Sequence, residues 1–144
     1  MGTLPDLDLL KRLQEMLDVE RLHSEQDVVR LVERRLRTKA LDALRTAGVT
    51  DDEIYSLILP RRTLSHRIAR REPLTVDESD RVVRILRVAV LGENIFGERE
   101  RVWRWLRAPK RQFDGRSPLS LLTTDAGARV VEDMLVAIDE GFAA

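Results

Sequence analysis

Residues 60–71 read PRRTLSHRIARR, with five arginines, one histidine, two hydroxyl side chains and no acid. Arginine donates two parallel hydrogen bonds to guanine O6 and N7 or to a phosphate, and hydroxyls suit either target. The set therefore points towards nucleic acid, and the plainer alternative is a solvated basic helix face paired with the acids at 51–53. Other groupings carry less chemistry. Ser65 and His66 are adjacent, which on a helix splays them apart, and no acid follows to orient the imidazole. The carboxylate pairs Asp51-Asp52 and Asp139-Glu140 read as a helix start and a solvated helix end. His23 and His66 lie far apart, and no acidic or histidine pair has metal-ligand spacing. There is no Gly-rich phosphate loop, and the absence of cysteine excludes disulfides and thiolate sites. No catalysis, metal or cofactor is expected.

The chain that must position this cluster has 144 residues and no net charge, but its charge is segregated. Residues 49–59 hold three acids and no base; residues 97–116 hold seven bases against three acids; residues 117–144 hold five acids against one base. Such blocks suggest surfaces with different partners, or solvated helix faces. No basic-then-apolar leader pattern opens the chain, and no apolar run approaches the roughly 18 residues of a membrane span. A cytoplasmic protein is expected.

The periodicity predicts an all-α fold, with no sustained alternation of period two. Leu7, Leu10, Leu13, Met16 and Leu17 recur at helical spacing. Val28, Leu31, Val32 and Leu36 follow Ser24, an N-cap candidate. Leu41 and Leu44 lead to Gly48, a C-terminal stop. Thr50 with Glu53, and Thr75 with Glu78, form two capping boxes that start helices near 51 and 76. The second helix is apolar nearly all round from Val82 to Phe96, which predicts a central spine with some dimer contact. A loop from Pro109 to Gly115 precedes Ser117-Pro118, an N-cap and N1 pair. The last helix, about Thr124 to Gly141, carries Val130, Val131, Met134, Leu135, Ile138 and Phe142 as its apolar stripe. Trp103 and Trp105, two apart, point to different sides, one to the core and one to an interface.

Between the capping boxes lies a helix-turn-helix layout. A short acidic helix from Asp51 to Leu57 breaks at Leu59-Pro60, and Pro60 at N1 starts the basic helix. Ile54, Leu57, Leu64 and Ile68 are expected to face the core. Arg61, Arg62, Thr63, Ser65, His66 and Arg67 are expected outward towards DNA, the first of these at base edges, and Arg70 and Arg71 towards phosphates. Ile58 stands where many such motifs carry glycine, which predicts a distorted turn or a repurposed motif.

Two stretches then carry a family pattern. LILPRRTLSHRIARREPLTVDESDRVVRILRVA resembles the helix-turn-helix and following helix of Xre/MbcA/ParS-like antitoxins. VWRWLRAPKRQFDGRSPLSLLTTDAGARVVEDMLVAIDEG resembles the C-terminal toxin-binding domain of the same family. Its marks are Trp105-Leu106 ahead of Pro109, Gly115-Arg116-Ser117-Pro118, Leu121-Leu122, Thr124, Gly127 and Val131-Glu132-Asp133 ahead of Gly141. The chain departs from the pattern at Ile58, at Lys110, where asparagine is common, and at Phe113-Asp114, where Leu-Gly is common.

The resemblance implies an Xre/Cro-like helix-turn-helix followed by a small helical toxin-binding domain. Three segments are expected: 1–37, packing on the helix-turn-helix or extending a dimer interface; 38–96, the DNA-binding region with its long helix; and 97–144, the toxin-binding domain. The implied partner is a RES-domain toxin that attacks NAD or transfers its ADP-ribose, with the C-terminal domain blocking its active-site entrance. The family's helix-turn-helix commonly represses its own operon through double-stranded promoter DNA. Family members tend to form homodimers and larger assemblies with toxin. The toxin-facing set is placed at Trp103, Arg107, Lys110, Arg111, Arg116, Glu132, Asp139, Glu140, Gly141 and Phe142. The competing reading is a stand-alone dimeric helix-turn-helix repressor.

Overall fold

The computed structural model describes residues 3–141. Among them the regular elements are helices: α1 (Thr3–Leu17), α2 (Glu25–Glu33), α3 (Leu41–Ala47), α4 (Asp51–Leu57), α5 (Arg61–Arg70), α6 (Val76–Phe96), α7 (Arg99–Arg107) and α8 (Asp125–Asp139). Short 3-10 turns at Thr38–Ala40, Arg111–Phe113 and Leu119–Thr123 join them. None of these helices is long and apolar enough to cross a membrane.

The chain forms two compact units, residues 1–87 and 88–144. α1 and α2 fall in the same unit as the helix-turn-helix, and α6 contributes its first half to one unit and its second to the other.

In the first unit the helix starts follow from local chemistry. The Ser24 hydroxyl accepts from Asp27 N at 3.2 Å and caps α2. Both capping boxes are closed: Thr50 N donates to Glu53 Oε1 at 2.9 Å and Glu53 N to Thr50 Oγ1 at 3.2 Å; Thr75 N donates to Glu78 Oε1 at 2.8 Å and Glu78 N to Thr75 Oγ1 at 3.1 Å. Gly48 ends α3 at φ 119°, where a side chain would be strained. Leu13, Leu41, Leu44, Ile54, Leu74 and Leu86 form the fully buried centre.

Two expectations of helical spacing change here. Leu7 is exposed, so the buried stripe of α1 is Leu10 and Leu13. Leu36 is buried but lies beyond α2, because the backbone turns left-handed at Arg35 (φ 66°). The segment after that turn is tied to the start of α6. Leu36 N donates to the buried Ser79 hydroxyl at 2.9 Å, Leu74 N to Leu36 O at 2.8 Å, and Arg35 Nε to Leu74 O at 2.8 Å.

Much of α6 is buried, as its composition predicts. Val82, Val83, Ile85, Leu86, Val88, Ala89 and Val90 are all buried, and Arg81, Arg84, Arg87 and Leu91 form a half-exposed strip. Of the apolar residues that motivated pairing along this helix, those from Val82 to Val90 are covered within one chain, and Leu91, Ile95 and Phe96 are half-buried. Arg87 holds Glu25 in a bidentate ion pair at 2.6 and 2.8 Å, which keeps the Glu25 carboxyl below its ordinary range.

In the second unit Val102, Trp103 and Leu106 of α7 are buried, as are Ala128, Val131 and Leu135 of α8. Gly92 allows α6 and α7 to approach: a Cβ there would lie 2.7 Å from Val102 Cγ1. The Ser117 hydroxyl accepts from Ser120 N at 3.2 Å, but Pro118 takes the N-cap rather than the N1 place expected, and the turn that follows is 3-10.

Candidate functional site

α4 and α5 are joined by Ile58, Leu59 and Pro60. Ile58 has φ −109° and ψ −63°, so this turn needs no left-handed residue and no glycine. Its side chain and that of Leu59 are buried, which anchors the turn. Ile58 N and Leu59 N both donate to Ile54 O, at 2.9 and 3.3 Å, and Arg81 Nη1 donates to Ile58 O at 3.2 Å. The motif is regular at the position where distortion was expected. Pro60 takes the N-cap with an extended backbone, one residue earlier than the N1 place expected, and α5 begins at Arg61. At the start of α4, Asp51 accepts from Arg45 Nε at 2.7 Å and Glu53 closes the capping box with Thr50.

α5 buries one residue, Leu64. Ile68, expected in the core, is 57% exposed. Arg61, Arg62, Ser65, His66, Arg70 and Arg71 are exposed, and Thr63 is half-buried. Arg71 closes the helix in the left-handed conformation at φ 56°, with its N–H donating to Ile68 O at 3.2 Å.

Arg67 behaves differently from its neighbours. Its guanidinium donates to Glu78 Oε1 and the pair is nearly closed to water, with side-chain exposures of 16% and 12%. Burial alone would raise the Glu78 carboxyl. The hydrogen bonds from Arg67 and Thr75 outweigh it and hold the group below its ordinary 4.5. Arg67 is therefore committed to joining α5 to α6 rather than turned out for DNA. Thr75-x-x-Glu78 was visible as a cap, but its partner eleven residues upstream belongs to another helix.

The second unit offers a different surface. Trp103, placed in the toxin-facing set, is 5% exposed and lies in the core. The Arg107 guanidinium covers its ring at 4.9 Å from the centroid. Trp105 is the half-exposed tryptophan, with Phe96 at 6.0 Å and Lys110 Nζ at 5.1 Å. Burial of the Lys110 ammonium lowers its pKa.

The loop after α7 is folded on itself. Lys110 N donates to Arg116 O at 3.0 Å and Gly115 N to Lys110 O at 2.9 Å. Asp114 and Gly115 are both left-handed, at φ 55° and 83°. Aspartate visits that region more readily than most residues, so Asp114 fits where the family commonly has glycine. Arg111 is exposed, and Arg116 Nη2 donates to Ser120 O at 3.2 Å.

Thr124 caps α8, accepting from Gly127 N at 3.0 Å. Gly127 has no substitute: a Cβ there would lie 1.9 Å from Leu121 O. Val130, expected in the buried stripe, is 46% exposed, and Val136 is exposed as well. Glu132 is half-buried; Asp139, Glu140 and Gly141 are exposed at the helix end. Phe142 and the rest of the tail lie outside the described residues.

Two family models match this chain in sequence. Residues 27–87 match the antitoxin Xre-like helix-turn-helix domain. Residues 91–141 match the antitoxin Xre/MbcA/ParS C-terminal toxin-binding domain. Among curated relatives, Antitoxin Xre of Pseudomonas putida is 40% identical over 131 residues, covering 91% of this chain and 82% of that protein. Antitoxin Xre of Yersinia enterocolitica is 32% identical over 84 residues, 58% of this chain and 57% of that protein. Antitoxin Xre of Photorhabdus laumondii is 30% identical over 101 residues, 69% of this chain and 62% of that protein.

Proposed function

The chain belongs to the Xre antitoxin family, an antitoxin of a toxin–antitoxin system rather than an enzyme, and from that premise we propose that it silences a RES-domain toxin and represses its own promoter. The toxin's substrate in this reading is NAD, and the second unit blocks the entrance to its active site in the cytoplasm. The first unit binds double-stranded promoter DNA through α5. Two copies pair so that their α5 helices meet successive major grooves about 34 Å apart, and the pairs join toxin in a larger assembly. Family membership sets the stand-alone repressor aside.

The observation that carries the DNA half is the exposure of Arg61, Arg62 and Ser65 at the first turns of α5, the end of a recognition helix that meets base edges. Arg70 and Arg71 at the far end suit phosphates. The toxin half is supported by the match of residues 91–141 to a toxin-binding domain. Within it, Val130 and Val136 are exposed apolar side chains of α8, and Val136 lies one turn before Asp139 and Glu140.

Co-expression with the neighbouring toxin gene tests the toxin half. A chain ending after Glu140 is expected to keep its helical content and its DNA binding and to lose protection of the cells. Full protection by this truncated chain would remove the tail from the mechanism and leave neutralisation to Arg107 and the 109–116 loop. Light scattering is expected to report a dimer at micromolar concentration; a monomer would refute the paired arrangement.

A further inference from the structure

Several basic side chains of the first unit are used inside the fold and others are not. Arg35, Arg45, Arg67, Arg81 and Arg87 are all spent within the fold, on Leu74 O, Asp42 and Asp51, Glu78, Ile58 O and Glu25 respectively. The side chains of Arg61, Arg62, Arg70 and Arg71 have no hydrogen bond or ion pair among the described residues, and neither do those of Arg37 and Lys39, nor those of Lys11, Arg21 and Arg34 on α1 or beside α2. Arg37 and Lys39 do not lie on α5, but the 3-10 turn Thr38–Ala40 packs against it. Both are exposed.

We infer that Arg37 and Lys39 form a second cationic row that grips backbone phosphates beside α5. This rests on the DNA reading above and extends the surface beyond the motif itself.

Three observations carry it. The turn is anchored at both ends: Leu36 before it donates to the buried Ser79 hydroxyl and accepts from Leu74 N, and Leu41 after it is fully buried. A phosphate contact from this segment orders little additional chain. Arg37, at the N-cap of the turn, is exposed and its guanidinium makes no hydrogen bond or ion pair among the described residues. The neighbouring Arg35 is pinned to Leu74 O and Pro73 O, at 2.8 and 3.4 Å, which separates an architectural arginine from the two that project. Phosphate contacts set register and supply salt-dependent affinity without reading sequence.

The test uses the full chain and two labelled duplexes, one from its own promoter region and one scrambled, titrated by fluorescence anisotropy from about 50 to 200 mM salt. Each phosphate contact adds about 0.9 to the slope of log K against log salt, or roughly a threefold loss across that range. Arg37→Gln and Lys39→Gln are each expected to weaken both duplexes alike and to flatten the slope by about 0.9, with the double variant near twice that. Their thermal melts are expected to match wild type, since both side chains are exposed and neither makes an internal hydrogen bond or ion pair. An unchanged slope, or a loss confined to the promoter duplex, overturns the inference. If wild type binds neither duplex, the DNA reading itself falls and this one with it.

Discussion

Replacing Glu78 with glutamine perturbs the junction between α5 and α6 at one atom. Glutamine keeps an Oε1 acceptor for Thr75 N, so the capping box survives. It removes the charge opposite Arg67, whose side chain is only 16% exposed. Breaking a fully buried pair costs about 3–5 kcal/mol, and the residual water access here lowers that to about 2–3 kcal/mol. Glu78→Ala also loses the acceptor for Thr75 N and costs about 1 kcal/mol more. Arg67→Met, which keeps the apolar stem, is expected to cost about 2 kcal/mol, and the double variant less than the sum. Urea unfolding followed by far-ultraviolet circular dichroism measures this. Tryptophan fluorescence does not, because both tryptophans lie in residues 88–144. The pH dependence has a definite sign. The Glu78 carboxyl sits below its ordinary 4.5 in the folded state, so its stabilisation is complete above pH 4.5 and disappears as pH falls through the lowered value. The gap between wild type and Glu78→Gln should therefore close in acid. If Arg67→Met leaves the urea midpoint unchanged and instead weakens DNA binding, the guanidinium faces DNA and this reasoning is wrong.

Gly127→Ala is expected to destabilise by more than about 2 kcal/mol in thermal melts, although alanine favours helix, because its Cβ would meet the Leu121 carbonyl oxygen at 1.9 Å. Thr50→Ala removes the hydroxyl that accepts from Glu53 N and should cost about 1 kcal/mol with an unchanged urea m-value. Arg61→Ala is expected to lose about 1–3 kcal/mol of promoter affinity and to relax preference at one base, read by mobility shifts on a panel of single-base variants. Equal loss on every sequence would instead make Arg61 a phosphate contact.

Local chemistry was legible from the residues alone. Ser24, Gly48, Thr50 with Glu53, and Thr75 with Glu78 mark helix ends by bonds that span three or four residues, so no distant segment decides them. The apolar run of α6 likewise announces burial on most sides, and the basic block at 60–71 announces an exposed helix. The tertiary structure decided which of several equivalent side chains is consumed. Arg61 and Arg67 are the same residue on the same helix, but only Arg67 meets a carboxylate brought in from α6. Trp103 and Trp105 carry equal apolar weight, and the packing of α7 buries the first and leaves the second half open. Leu64 and Ile68 are four apart on α5, but Leu64 is buried and Ile68 is left exposed. Periodicity specifies a direction around a helix axis. How far along that axis a neighbour extends is set by non-local packing, and no spacing in the chain encodes it.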